Sequence, residues 1–277
     1  MILAATILAL SSAVLHATWN LLAKTSVDRE LTLVAQYAIG ILFAPLLLLT
    51  GWPGSDAVPF LVASSVVHAF YAWALARAYD HGDFSFAYPV ARGGGALLAA
   101  LGGVLLLDDS LTVVSWLSIT VAGLALMSLA STKASPTALA WAGTTALTIA
   151  TYTVIDASGA RTSMSGVSYA VALPLFNGIG VFGWGLARHR GPDLLAASAA
   201  QWRRWALGAV FMAGAYGLVL VAVTEAPVGY VAMLRESSVV LATFAGWRLL
   251  HEKMGSRRLV ASIVMLVGLA GLVLSSS

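Results

Sequence analysis

Apolar residues in this chain neither alternate nor recur every third or fourth position; they run on almost unbroken. Ten such stretches cover residues 2–23, 31–50, 58–79, 84–107, 111–130, 137–158, 167–187, 203–223, 228–250 and 259–275. A helix needs roughly 20 apolar residues to cross a hydrocarbon core of ~30 Å, so each stretch predicts a membrane span. A transmembrane β-barrel would require alternation, which is missing. The polar punctuation is short: Gly51-Trp52-Pro53-Gly54-Ser55-Asp56, Asp80-His81-Gly82-Asp83, Asp108-Asp109-Ser110 and Glu225-Ala226-Pro227 all read as turns. No loop is long enough for a soluble domain. The longest, 188–204, carries Leu194, Leu195 and Trp202 and predicts a piece lying at the membrane interface. The fold class is therefore all-α and integral to a membrane.

The pattern also repeats. SFAYPVARGGGALLAALGGVLLLDDSLT from Ser85 aligns without gaps on VGYVAMLRESSVVLATFAGWRLLHEKMG from Val228. Arg92 falls on Arg235, Gly103 on Gly246 and Asp109 on Glu252, each 143 positions apart (235 − 92, 246 − 103, 252 − 109). Two arginines inside apolar runs and in register are a far more specific match than apolar residues alone. The chain divides into residues 1–133 and 134–277, with five spans in each. Five is odd, so the second repeat enters the membrane upside down, an arrangement that places a binding site near the midplane between repeats.

Composition agrees with this reading. Hydrophobic residues make up 60% of the 277 and charged residues 10%, against about 25% charged in an ordinary soluble domain. With no cysteine there is neither a disulfide framework nor a thiolate metal site. The 15 basic residues are scattered, which gives no nucleic-acid surface. Glycine-rich stretches such as Gly93-Gly94-Gly95 read as close helix packing. Trp52, Trp116, Trp202 and Trp205, near span ends, read as interface anchors. HExxH, P-loop and GxSxG motifs are absent, so no enzyme and no cofactor is expected, and His16 with His68 does not amount to a metal site without a carboxylate or thiolate set.

Further residues carry a family likeness. Span three ends Ala74-Leu75-Ala76-Arg77-Ala78-Tyr79, and Ala87-Tyr88-Pro89 follows in span four. Each half closes its fourth span with an acid, Asp109 or Glu252, then Leu111 or Met254 two positions on, then a glycine-bearing span. In these features the whole chain resembles the drug/metabolite transporter superfamily, EamA type. The family's usual acid at that turn is Glu, so Asp109 is a small departure. A narrower likeness, to a subgroup associated with phosphonate utilisation, rests on His16-Ala17-Thr18-Trp19-Asn20 and Tyr88-Pro89-Val90-Ala91-Arg92-Gly93. The resemblance implies export or exchange of a metabolite through ten helices in two five-helix repeats.

A charge inside a span is a functional-site hypothesis. Arg92 and Arg235 lie about eight residues into spans four and nine, or ~12 Å at ~1.5 Å per residue. As repeat mates they are expected to converge on one cavity, where guanidinium pairs with carboxylate or phosphate through two parallel bonds. The alternative is an internal ion pair with Glu236 or Asp156. Those two acids are the candidates for a coupling proton, with Asp156 placed nearer a helix end. His16, Trp19 and Asn20 on span one, His68 and Tyr71 on span three, and Tyr88, Tyr152 and Tyr230 complete the expected substrate-binding set. Asn177 and Tyr216 add polar tips. For each of these the plainer role is an interhelical hydrogen bond.

The sequence thus predicts a secondary transporter, an exporter or exchanger, of a small anionic or zwitterionic metabolite such as an amino acid or phosphonate. It would work by alternating access as a multi-pass protein of the cell (inner or plasma) membrane. Its partners are the small-molecule substrate and the bilayer, with a proton as candidate coupling ion; monomer and homodimer both stay open. Rival readings are efflux of lipophilic cations anchored by a carboxylate, a non-transporting scaffold or sensor, and a membrane enzyme. Related transporters generally keep both termini in the cytoplasm. Here loops after odd-numbered spans, with their flanks, carry Lys24, Arg29, Arg77, Lys133, Arg188, Arg190, Arg203, Arg204, Lys253, Arg257 and Arg258, while loops after even-numbered spans carry only Arg161. Basic short loops stay cytoplasmic, so odd loops are expected inside and both termini outside.

Overall fold

The computed structural model describes residues 2–24, 26, 28–81, 84–130, 135–249 and 255–275. Each predicted span is helical. Span one is α1 (Ile2–Lys24); span two is α2 (Arg29–Gly40), a 3₁₀ segment (Ile41–Leu46) and α3 (Leu47–Thr50). A 3₁₀ turn (Ser55–Ala57) leads into α4 (Val58–His81), followed by α5 (Phe84–Leu106) and α6 (Val113–Met127). The second five spans are α7 (Pro136–Thr162), α8 (Gly166–Ala187), α9 (Gly191–Ala222), α10 (Val228–Arg235) with α11 (Ser237–Leu249), and α12 (Ser256–Leu274). Among the described residues, eight spans are long and apolar enough to cross a membrane on their own; α6 is a shorter apolar helix, and the ninth span is divided between α10 and α11.

Local chemistry sets the boundaries. Asp28, Thr112, Ser135 and Ser165 each accept a backbone N–H of the helix that follows them, satisfying donors that the first turn leaves free. Pro45 has no N–H to donate, and span two tightens to 3₁₀ winding around it. The ninth span breaks between two adjacent charges. Glu236 N–H bonds to Met233 O at 3.0 Å, and Glu236 O accepts from Val239 N at 2.9 Å. Both are i→i+3 bonds, so one tight turn interrupts the helix where the sequence predicts a continuous span.

Two other expectations are corrected. Residues 191–204 do not lie apart at the interface: they are the first turns of α9, a 32-residue helix with Pro192 in its first turn. Trp205 is not an anchor, because it is buried against Leu31 and Ala35 of α2, whereas Trp202 on the same helix is 55% exposed. The predicted acid Glu252 with Met254, the loop cations Lys133 and Lys253, and the division at 133/134 fall outside the described residues.

Helix packing shows approximate twofold pairing. α4 packs on α7 as α9 packs on α1, and α4 packs on α8 as α9 packs on α2. α5 lies along α7 as α10 and α11 lie along α1; α2 meets α8, and α6 meets α12. Spans one to four and six to nine therefore surround the centre, with spans five and ten paired at the side. At that pairing Gly268 lies so close to Ser118 and Ala122 that a Cβ would sit 3.0 Å from their backbone atoms. The outer surface is apolar: Leu48 is 90% exposed, Leu49 83% and Leu105 69%, which suits hydrocarbon and not water.

Candidate functional site

The central spans line a cavity that is partly open to solvent. Seven of the sequence-predicted residues line it: His16, Trp19, His68, Tyr71, Arg92, Tyr152 and Arg235. Tyr37, Asn177, Tyr216 and Met212 also face it. Tyr37 has no sign in the sequence beyond a hydroxyl-tipped ring in mid-span. Tyr88, Asn20 and Tyr230 are not among the lining residues. Asn20 Nδ2 donates to His16 O at 2.8 Å, and the Tyr230 hydroxyl is 2.6 Å from Thr6 Oγ1. These are the plainer interhelical or local roles.

The aromatic wall is built around His68. Its ring stacks on Tyr152 at 4.1 Å and meets Tyr37, Tyr71 and Tyr216 edge-on at 6.2–6.3 Å. His68 Nδ1 lies 3.0 Å from Ser64 O. A carbonyl only accepts, so this bond places the proton on Nδ1 and leaves Nε2 as an acceptor. Trp19 Nε1 donates to His16 Nδ1 at 3.2 Å, which fixes the opposite tautomer on that ring.

The two arginines are not equivalent. Arg92 forms a bidentate pair with Glu236, Nε to Oε2 at 3.0 Å and Nη2 to Oε1 at 2.7 Å, all of it buried. Arg235 reaches Glu236 only at 3.7 Å. Its guanidinium lies 5.8 Å from the centroid of the Tyr216 ring, and its buried Nε has no hydrogen-bond partner among the described residues. The repeat register explains the difference. At the offset of 143, Glu236 falls on Gly93. Gly93 is pressed against Met127 and Gly123, with room for no side chain: a Cβ would lie 2.7–2.8 Å from them. The second half therefore supplies an acid to Arg92, and the first half supplies none to Arg235.

Asp156 does not sit at an interface as its place in the span suggests. It is fully buried, accepting from Tyr169 at 3.1 Å and from Tyr216 at 2.7 Å. No group of three or more His, Cys, Asp or Glu able to hold a metal occurs among the described residues.

The cavity has one sealed end. Ala57, Leu61, Ala157, Ala160, Tyr169, Val223 and Val228, at the ends of spans bordering even-numbered loops, join one buried core. Across them Arg161 Nη2 meets Asp109 Oδ1 at 2.8 Å and Arg161 Nε donates to Val223 O at 2.8 Å. Asp109 Oδ2 also accepts the first N–H of α10, from Val228, at 2.6 Å. A carboxylate at a helix N-terminus is favoured by the helix dipole. Towards the odd loops Trp19, Leu33 and Tyr37 are only half-buried. There Arg190 gathers Asp28, Glu30 and Asp193.

The sequence model of the EamA-like transporter family matches residues 136–274, half of the chain. The chain belongs to the EamA-like transporter family. It is thus a multi-pass membrane transporter of the drug/metabolite type, embedded in a bilayer and built for a small-molecule substrate. A solved crystal structure aligns with this EamA-like chain over 98% of both molecules, with a TM-score of 0.76 and 16% identity. That likeness is one of fold. Comparison with curated proteins gives no match.

Proposed function

We propose that this EamA-like protein is a secondary transporter, an exporter or exchanger in the cell membrane, of small anionic or zwitterionic metabolites bearing a carboxylate or phosphonate. One observation carries this reading: Arg235 is a buried cation on the cavity wall with an unpartnered Nε, while the neighbouring acid is taken up by Arg92. A buried guanidinium with spare donors is satisfied by an oxyanion. Asn177 Oδ1, also buried and unpartnered among the described residues, faces the same cavity as an acceptor for a ligand ammonium or N–H. Two five-span units, residues 1–133 and 134–277, would rock about the cavity to give alternating access.

Efflux of lipophilic cations fits less well. It needs a free carboxylate on the wall, yet Glu236 is held by Arg92 and Asp156 lies behind Tyr216. The test is counterflow of labelled amino acids and alkylphosphonates in proteoliposomes. Arg235→Ala should weaken the transported substrate at least ~30-fold, the scale of ~2 kcal/mol for losing one partner of a buried charge pair. Arg235→Lys should recover only part, since the planar fork is lost. Equal transport by folded Arg235→Ala protein, or transport of lipophilic cations alone, would defeat the reading.

A further inference from the structure

We propose that Asp156 is a proton-binding site reached from the cavity through the Tyr216 hydroxyl, and that a proton there and an anion at Arg235 are bound together. The coupling half of this rests on the anion reading of Arg235; the proton site itself does not.

The surroundings of Asp156 are unusual for a carboxyl group. It has no ion-pair partner among the described residues, although it is fully buried. Taking an isolated carboxylate out of water costs far more than taking out the acid. Every helix packed on α7 can be checked for a compensating cation. α4 brings Ser64 beside it and His68, whose proton is on Nδ1 and engaged with Ser64. α8 brings the Tyr169 hydroxyl and α9 the Tyr216 hydroxyl. α5 brings Arg92, already paired with Glu236, and α10 brings Arg235, beyond the Tyr216 ring. On α7 itself Tyr152 is stacked on His68 and Arg161 is spent on Asp109. The exposed Asp56 of the turn before α4 adds only negative charge. Hydroxyls are thus the groups that touch Asp156, and hydroxyls both give and take protons.

Tyr216 is the connection to the cavity. Its ring lines the wall, and its oxygen is 2.7 Å from Asp156 Oδ2. In the transfer step the Tyr216 O–H bond breaks as an O–H bond forms on Asp156. Tyr216 oxygen regains a proton from hydronium in the cavity, leaving water. The reverse step returns the proton.

Tyr216 also connects the proton to the substrate. A cation over the ring withdraws electron density and makes the phenol a stronger donor, which supports the charged form of Asp156. An anion on Arg235 cancels that support, so the proton is taken up as the anion binds. By linkage the effect is reciprocal: acid medium favours anion binding.

Infrared spectroscopy of the purified full chain, titrated from about pH 5 to 9 to bracket the usual carboxyl and histidine ranges, tests this without a substrate. The expected result is a protonated-carboxyl carbonyl band that titrates and is absent from both Asp156→Asn and Asp156→Ser. Removing the charge of Arg235 imitates anion binding. In Arg235→Ala, or Arg235→Gln should the first not fold, the band should persist into more alkaline buffer. A band missing at all pH values, or retained in the Asp156 variants, would overturn the proton site. A band with an unchanged titration in the Arg235 variants would overturn the coupling. Counterflow in the wild type judges the transport reading separately.

Discussion

Arg92 and Glu236, 144 residues apart, close a two-bond buried ion pair between span four and the break in span nine. It joins the two halves of the chain at the level of the cavity. It also decides which arginine remains available, because one acid serves two repeat-related cations.

Arg92→Ala leaves Glu236 buried beside Arg235 alone. The expected cost is ~3–5 kcal/mol, the range for breaking a buried pair by removing one partner. Glu236 should then draw Arg235 away from the cavity, so ligand affinity falls as well. Arg92→Met combined with Glu236→Leu should recover much of the stability. Thermal unfolding in detergent reads both, and a double variant no better than the single would show that the pair is not what stabilises this junction.

The Arg161–Asp109 contact should act as a latch on the sealed end. Arg161→Ala frees two carbonyls, Val223 O and Ala226 O, besides the carboxylate. Leaving such groups without partners costs ~1–3 kcal/mol each when they stay dry. A cysteine at the buried Ala157 should resist a water-soluble maleimide in the otherwise native protein and label several-fold faster with Arg161→Ala. Equal rates would mean that the apolar core alone holds this end shut.

Gly159 keeps Tyr169 in place. A Cβ there would overlap the ring and hydroxyl of Tyr169, which is fully buried and bonded to Asp156. Gly159→Ala should destabilise by about 1–3 kcal/mol, as overpacking of a filled core does. Gly159→Ala with Tyr169→Leu should cost less than the sum of the two, since the clash disappears. Simple additivity in unfolding measurements would argue that the ring moves aside freely.

The loop cations predict an orientation. Arg190 beside Asp28 brings the loops after spans one and seven together, and Arg257 on Ser128 O and Ala130 O does the same for the loops after spans five and nine. The charge bias predicts that the ends carrying these loops face the cytoplasm. In this cysteine-free chain, Met164→Cys, at a position 85% exposed, should label in intact cells with an impermeant maleimide. Ser198→Cys should stay protected. The opposite pattern would place both termini in the cytoplasm, as in related transporters.

The spans, their approximate ends and the family were legible from the chain because lipid imposes a one-dimensional rule. Each crossing must be a long apolar helix, so hydropathy alone locates it. The register that sets Arg92 against Arg235 is read from the chain too, since charges are rare enough in apolar runs for a repeat to stand out. Which arginine is neutralised was not. That depends on where Glu236 and Gly93 point after a break in span nine, and adjacent residues on a helix differ by about 100° in direction. The same holds for Asp156, whose place near the end of an apolar run suggested a wet interface. Its burial comes from Tyr169 and Tyr216 on two other helices. Hydropathy records what a segment must avoid, whereas a polar site is defined by partners brought from distant parts of the chain, and only the packing of the helices supplies them.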